Sequence, residues 1–300
     1  MRTTAQFKRQ VPEAACPVCS FDQSHTVVSK SFGGISSTWL RCASCQSEFI
    51  WPLPSAAELE EYYRMSYAQR KSPGAVSHSY RFSEANRGTI FREYGMSLAD
   101  VHVMPDMLLQ KRILDYGCAN GFFLDFCVSL GCRKQDLCGF DIAEDLLVQV
   151  ARKGYHTLKS SDKDFDFIFL WDVLEHIPEP AALINHLKAC LRPGGTVIVQ
   201  TPRLGFLAEV LGELWEHYLP LEHVVLYGRG SLRRLFEEAG LRLVAASSFG
   251  SNAPPGIVPE PYKQAFDRLA KRTDYGSTQI GRFVLEESPH PEERHRGGGD

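Results

Sequence analysis

Short apolar runs alternate with amphipathic stretches from Lys111 to near the end of the chain. The apolar runs predict strands at 112–116, 137–141, 165–171, 196–200, 241–247 and 282–286. Helical spacing of apolar residues predicts helices between most of them, at 122–130, 144–153, 181–191 and 231–239. Strands that alternate with helices form a mostly parallel sheet covered on both faces. We therefore expect an α/β, doubly wound domain over residues 111–287.

The segments before and after residues 111–287 lack this alternation of strands and helices. Residues 1–51 contain two cysteine pairs and are predicted as a small separate unit. Residues 52–110 mix proline, tyrosine and charged residues with helical stretches such as Ala56–Met65, which predicts a helical linker or lid. The tail, residues 288–300, is polar and glycine-rich, and we expect it to be disordered.

Composition narrows the class of protein. The 300 residues are 44% hydrophobic and 23% charged, which is enough apolar material for one large and one small domain. The net charge of -3, with no basic run before the tail, disfavours nucleic acid as a partner. The N-terminus lacks the apolar stretch of a secretory signal, and no run is long enough to span a membrane. We expect a cytoplasmic protein without membrane contact, and a homodimer is left open.

The cysteines indicate a metal site. Two CxxC pairs, Cys16–Cys19 and Cys42–Cys45, are separated by 22 residues that contain two strand-like runs around Gly33-Gly34. Two such pairs joined by a hairpin are typical of a zinc ribbon, in which four thiolates close a tetrahedral shell. The prediction is a structural Zn²⁺ on Cys16, Cys19, Cys42 and Cys45, with a redox pair or unligated thiols as alternatives. The other five cysteines are predicted to lie in the core.

A glycine-rich turn follows the first predicted strand of the large domain, in Ile113-Leu-Asp-Tyr-Gly-Cys-Ala-Asn-Gly121. Ligands bind at the carboxyl ends of parallel strands, where glycine lets the backbone approach them closely. Asp141 ends the next strand, twenty residues later, where an acid can accept hydrogen bonds from ribose hydroxyls. A dinucleotide fingerprint would require glycines where Ala119 and Phe122 stand, so a nicotinamide cofactor is disfavoured.

This turn resembles the Asp-x-Gly-x-Gly-x-Gly signature of class I S-adenosylmethionine-dependent methyltransferases, with Ala119 in place of the middle glycine. Two later segments are similar to that family in the same order: Phe165–Ile177 resembles its fourth strand and loop, and Leu191–Val199 the turn into its fifth strand. The resemblance covers about residues 111–203. It implies a seven-stranded sheet with a last, antiparallel strand at Arg282–Glu286, and S-adenosylmethionine as cofactor.

The resemblance also implies roles for individual residues. Gly117, Ala119 and Gly121 would line the methionine portion, and Asp115 would orient the loop or the ammonium group. Asp141 would hold the ribose and Ile142 would lie beside the adenine, with Asp162 as a candidate for the adenine amino group. Trp171 and Asp172 would lie against the methionine tail.

Three histidines in loops after strands are candidates for acceptor chemistry, His176, His217 and His223, together with Glu222 beside His223. Histidine is the usual general base near neutral pH. Glu222-His223 is similar to a pair in sugar C-methyltransferases and to a segment of ubiquinone-type O-methyltransferases, although the flanking residues differ. For His223 a base and a structural role are equally open, and for His176 the structural role is favoured. Tyr62, Tyr63 and Tyr67 are predicted to pack between domains, with a lid as the alternative.

The leading hypothesis is methyl transfer from S-adenosylmethionine to a small-molecule acceptor such as a sugar, a nucleotide-linked sugar or a secondary-metabolite intermediate. One alternative is an RNA methyltransferase that uses the ribbon to grip nucleic acid. Another is a non-catalytic protein that binds the cofactor and recruits a partner through the ribbon.

Overall fold

The computed structural model describes residues 14–32, 35–55, 57–59, 61–63, 83–251 and 259–286. The predicted disordered tail and the glycine pair at 33–34 lie outside the described residues, as does Tyr67. Eleven strands are present in these residues, and they form one seven-stranded and one four-stranded sheet.

The large sheet contains the strands predicted from the apolar runs. They are β4 (Ile113–Tyr116), β5 (Leu137–Phe140), β6 (His156–Thr157), β7 (Phe165–Trp171), β8 (Leu191–Pro202), β10 (Leu241–Phe249) and β11 (Thr278–Leu285). Their order is β10-β11-β8-β7-β4-β5-β6. The β8-β7-β4-β5-β6 part is parallel, and β11 is antiparallel to both β8 and β10. The predicted α/β class, the seven strands and the antiparallel last strand are confirmed. Only β6, two residues long, had no apolar run to indicate it.

Helices cover this sheet. They are α1 (Arg87–Asp100), α2 (Phe122–Ser129), α3 (Glu144–Arg152), α4 (Pro180–Cys190), α5 (Phe206–Leu211), α6 (Arg229–Glu238) and α7 (Glu260–Thr273). Short 3-10 turns occur at Glu84–Asn86, Pro105–Leu108, Lys134–Asp136, Leu174–His176 and Gly212–Leu214. In the part of the chain that the structure describes, none of the helices has the length and apolar character needed to cross a membrane.

Strand β7 shows how the two faces are filled. Ile168 and Leu170 belong to one hydrophobic cluster, and Phe167 and Phe169 belong to another. Because successive side chains of a strand point to opposite faces, the sheet is buried on both sides, as the continuous apolar run predicted. Helix α1 packs on the second face, where Tyr94 meets the Phe123 ring at 5.1 Å. The end of the predicted linker region therefore shares the core of the large domain.

The small sheet belongs to the cysteine ribbon, a name used here for residues 14–51. Strands β1 (Ser24–Phe32) and β2 (Ile35–Cys42) form the predicted hairpin, and β3 (Glu48–Trp51) adds antiparallel to β2. A fourth strand, β9 (Val225–Leu226), comes from the other half of the chain and pairs with β3. The ribbon sheet is thus completed by a segment of the large domain.

Apolar side chains bury the junction between the ribbon and the large domain. Phe49 of β3 is fully buried and lies opposite Val225. Trp39 of β2 is also fully buried, with its ring 5.1 Å from that of Tyr218. The carboxylate of Glu48, buried in the same strand, accepts hydrogen bonds from Tyr218 Oη at 2.6 Å and Arg41 Nε at 2.8 Å. These contacts make one continuous core of ribbon and large-domain residues.

The junction predicts a large difference between two phenylalanines of the ribbon. We expect Phe49→Ala to lower the free energy of unfolding by about 3–5 kcal/mol, because it leaves a cavity under β9. Phe21, 38% exposed, is the matched control, and Phe21→Ala should cost less than about 1 kcal/mol. Urea denaturation followed by circular dichroism measures both values. Equal losses in the two variants would contradict the shared core.

Candidate functional site

The turn after β4 has an unusual backbone. Gly117, Ala119 and Gly121 all have positive φ angles, of 84°, 46° and 78°. A Cβ atom on Gly117 would lie 2.3 Å from Cγ2 of Val173, so this position excludes every other residue. The amides of Gly117 and Cys118 both donate to the carbonyl of Phe140, at 2.7 and 2.8 Å. The turn is therefore held tightly at the carboxyl end of β4, as a cofactor loop requires.

Asp141 braces this turn from the end of β5. Its Oδ2 accepts a hydrogen bond from the amide of Ala119 at 2.8 Å, and its Oδ1 accepts one from Ala143 at 2.9 Å. Burial raises the pKa of Asp141, while the amide hydrogen bonds oppose that shift. Each carboxylate oxygen has a second lone pair, so the group can still accept from ribose hydroxyls.

Asp115 lies at 2% exposure at the end of β4, and its Oδ1 is buried without a hydrogen-bond partner. Burial, and then the negative charge of Asp141, raise the pKa of Asp115 well above its usual value. Two neighbouring carboxyl groups with an unpaired oxygen form a site for a cationic ligand that also carries hydroxyl groups. The ammonium, sulfonium and ribose groups of S-adenosylmethionine fit this donor and charge pattern.

The other predicted cofactor residues surround the same sheet edge. Ile142 is 58% exposed directly after Asp141, which leaves an apolar side chain free to contact a flat ring. Trp171 stacks on Phe169 at 5.8 Å and has a buried Nε1 without a partner. Asp172, with a φ of 52°, accepts hydrogen bonds from Gln200 Nε2 at 3.1 and 3.2 Å. The carboxylate of Asp162 accepts from the Lys159 amide within its own turn. That these four predicted residues contact the cofactor stays a prediction.

A second group of polar residues follows β7 and faces the ribbon. Glu175 is fully buried, and its Oε2 accepts a hydrogen bond from Thr201 Oγ1 at 2.9 Å, while Oε1 has no partner. The His176 and His223 rings meet edge to face, with centroids 5.1 Å apart. One ligand-type atom from each of these three residues lies within 4.8 Å of the other two. We call them the Glu175–His176–His223 cluster.

Main-chain carbonyls orient both histidine rings. Nδ1 of His176 donates to the carbonyl of Glu222, and Nδ1 of His223 donates to that of His217 at 2.7 Å. Burial lowers the pKa of His176 to about 4. Burial, and then the neighbouring His176 and His217, lower the pKa of His223 well below its usual value. Both imidazoles are therefore neutral at pH 7.

The predicted Glu222-His223 pair is arranged differently from a carboxylate–imidazole dyad. The carboxylate of Glu222 accepts a hydrogen bond from Tyr62 Oη at 2.9 Å. The main-chain carbonyl of Glu222 accepts one from His176, not from His223. Tyr63 Oη lies 2.9 Å from Nδ1 of His176. Tyr62 and Tyr63 thus join residues 61–63 to the loops that carry the candidate acceptor residues.

Glu175 was not among the site residues predicted from the sequence. Its signal was present, since an acid follows directly on the apolar pair Val173-Leu174 and precedes a histidine. A charged residue among apolar neighbours indicates burial, and a buried carboxylate requires partners. The hydrogen bond to Thr201 could not be read from the sequence, because Thr201 belongs to another strand.

The four ribbon cysteines converge at one point. The Sγ atoms of Cys16 and Cys45 are 3.6 Å apart, and those of Cys19 and Cys42 are also 3.6 Å apart. Sulfur atoms around a tetrahedral Zn²⁺ with bonds of about 2.3 Å lie about 3.8 Å apart. Amides of Val18 and Ser44 point at the sulfurs of Cys16 and Cys42, both at 3.4 Å, and so support the thiolate form. The residues fit a structural zinc ion, and the remaining five cysteines are buried as predicted.

Comparisons with known proteins agree with this geometry. A family model described as a methyltransferase domain matches residues 82–246, more than half of the chain. The ubiquinone biosynthesis O-methyltransferase of Hydrogenovibrio crunogenus is 31% identical over 106 residues, which cover 30% of this chain and 42% of that protein. The tRNA U34 carboxymethyltransferase of Nautilia profundicola is 28% identical over 160 residues, 48% of this chain and 49% of that protein. The chain thus spans less than half the length of these two curated relatives.

A solved structure supports the fold. One chain of the Haloferax volcanii complex that contains the Trm112 methyltransferase activator superposes with a TM-score of 0.53 at 13% identity. The match covers 77% of this chain and 99% of that one. With the family match, the sheet order and the Asp115–Asp141 turn in agreement, the chain belongs to the class I S-adenosylmethionine-dependent methyltransferases.

Proposed function

We propose that the protein transfers a methyl group from S-adenosylmethionine to a small-molecule acceptor. The observation that carries the proposal is the paired carboxyl site of Asp115 and Asp141 around a left-handed turn. S-adenosylmethionine supplies an electrophilic methyl group on a sulfonium. The acceptor must then be held in line with that methyl group and, where its nucleophile carries a proton, lose that proton.

The acceptor side is proposed to be the Glu175–His176–His223 cluster. Its two imidazoles are neutral at pH 7, so a ring nitrogen can offer its lone pair. Glu222 is assigned a positioning role, because its main-chain carbonyl fixes the His176 ring. His223 is our candidate for the general base that removes the acceptor's proton.

Sugars, nucleotide-linked sugars and secondary-metabolite intermediates remain our preferred acceptors. In the described part of the ribbon, the two basic side chains Lys30 and Arg41 are both engaged within the protein. Lys30 Nζ donates to the Trp215 carbonyl at 3.4 Å, and Arg41 pairs with Glu48 at 2.5 Å and Glu209 at 2.6 Å. Neither is free to neutralise a phosphate, which disfavours a ribbon that grips RNA. The similarity to a tRNA-modifying relative keeps tRNA as the second candidate acceptor.

Asp141→Ala tests the cofactor site. The variant removes the two carboxylate oxygens that accept hydrogen bonds from the turn amides and, in our proposal, from the ribose. The affinity for S-adenosylmethionine, measured by calorimetry, should therefore fall about 100-fold or more. Asp145→Ala, on the exposed first turn of α3, is the matched control and should bind normally. Wild-type protein that binds NAD and not S-adenosylmethionine would overturn the proposal.

Zinc in the ribbon has its own test. We expect about one Zn²⁺ per chain that a mercurial thiol reagent releases, and Cys42→Ser should lose it. Cys190→Ser, at a buried cysteine outside the ribbon, should retain the metal. Full zinc content in Cys42→Ser would show that these thiols do not hold the ion.

Methyl transfer is tested with S-adenosylmethionine labelled in its methyl group. Small molecules of the preferred classes and tRNA are screened as acceptors by mass spectrometry. We expect label in a small molecule, and label in tRNA alone would favour the second function.

With the acceptor found, His223→Ala should lower kcat about 100-fold or more while cofactor affinity stays unchanged. The exposed His186→Ala is the control, and unchanged turnover in His223→Ala would remove His223 from the mechanism.

A further inference from the structure

Glu175 carries a fully buried carboxyl group with no cationic side chain beside it. Among the described residues, no lysine or arginine lies within ion-pair distance of it, and its Oε1 has no hydrogen-bond partner. Nε2 of His176 is 4.0 Å from this oxygen. An unpaired polar oxygen at this depth costs free energy unless a ligand satisfies it.

The two histidines are held as metal ligands usually are. A ligating imidazole typically donates its other ring N–H to a carbonyl or carboxylate, which fixes the tautomer and aims the free nitrogen at the ion. The carbonyls of Glu222 and His217 occupy Nδ1 of His176 and His223. Nε2 of His223 is then the nitrogen with the free lone pair. The His176 ring makes a second main-chain hydrogen bond, to Asp172, which it would give up to bind an ion. Thr201 Oγ1 in the same way holds the second oxygen of Glu175.

The spacing of the three groups suits one cation. Ligand atoms bound at about 2.0–2.2 Å to a common ion lie about 3–4 Å apart. The atoms of the cluster lie within 4.8 Å of one another, which is somewhat wider than this spacing, so the side chains would have to close slightly around an ion. The side chain of His176 is 26% exposed while that of Glu175 is 1% exposed, so His176 is the more accessible of these two groups.

We propose that Glu175, His176 and His223 form a second metal site, which binds a first-row divalent cation separately from the ribbon. Two imidazoles and one carboxylate suit Zn²⁺, Mn²⁺ or Fe²⁺ and leave coordination positions open on the exposed side. An acceptor hydroxyl in an open position would lose its proton to solvent water more readily, because a cation stabilises the bound oxyanion. That oxygen would then take the methyl group, and S-adenosylhomocysteine would leave. The metal site rests on the proposed function. It would require the methyl acceptor to bind the ion through an oxygen atom, and His223 would act as a metal ligand.

Mn²⁺ is the probe for this site, because it prefers nitrogen and oxygen ligands over the thiolates of the ribbon. We would titrate Mn²⁺ into the full chain with its zinc retained, and measure bound ion by electron paramagnetic resonance. One saturable Mn²⁺ per chain is expected. His223→Ala and the isosteric Glu175→Gln should each weaken binding about 100-fold or more, beyond the effect typical of losing an outer partner. His186→Ala, a surface histidine on α4, should bind as the wild type does.

The same titration separates this proposal from the cofactor assignment. Asp141→Ala should bind Mn²⁺ normally even though it loses S-adenosylmethionine. Mn²⁺ binding without any S-adenosylmethionine binding by the wild type would leave the site standing and remove the proposed function. No saturable Mn²⁺ binding by the folded wild type would overturn the metal site, as would undiminished binding in both His223→Ala and Glu175→Gln. Circular dichroism of each variant verifies that it is folded.

Discussion

The pairing of β3 with β9 is the interaction on which the acceptor side of the molecule depends. Phe49 lies opposite Val225, and the amide of Ile50 donates to the carbonyl of Val224 at 3.0 Å. Val224 in turn donates to the carbonyl of Glu175 at 2.8 Å. A ribbon strand is thereby connected through main-chain hydrogen bonds to both loops of the Glu175–His176–His223 cluster. The ribbon is therefore packed against the proposed acceptor site, and a structural metal on its four cysteines would stabilise that contact.

The cofactor side depends on a different constraint, the placement of two carboxyl groups beside a turn that cannot carry side chains. Gly117 fits only because it lacks a Cβ, and Asp141 accepts an amide hydrogen bond from Ala119 in that turn. The buried Asp115 then lacks a partner for one oxygen, in a site where a cationic ligand relieves the repulsion. The rigid backbone and the unpaired buried oxygen together support the proposal that this edge of the sheet binds the cofactor.

Two buried glutamates, Glu48 and Glu175, differ in how their carboxyl oxygens are hydrogen-bonded. At the ribbon junction Glu48 is fully buried, and Arg41 and Tyr218 supply hydrogen-bond donors to both of its carboxylate oxygens. Glu175 is buried to the same extent and has one hydroxyl donor. The contrast distinguishes a structural carboxylate from one with capacity left for a ligand, because natural cores rarely leave such oxygens unpaired.

The sequence by itself determined the class of fold, the strands of the parallel sheet except β6, the thiol spacing and the residues of the cofactor turn. These are set by local patterns, in which apolar periodicity or residue spacing within one segment carries the information. The tertiary structure alone decided that β9 completes the ribbon sheet, that the Glu222 carboxylate turns to Tyr62, and that Glu175 joins the two histidines. Such contacts join residues far apart in the chain, and only the packing of the two sheets selects them.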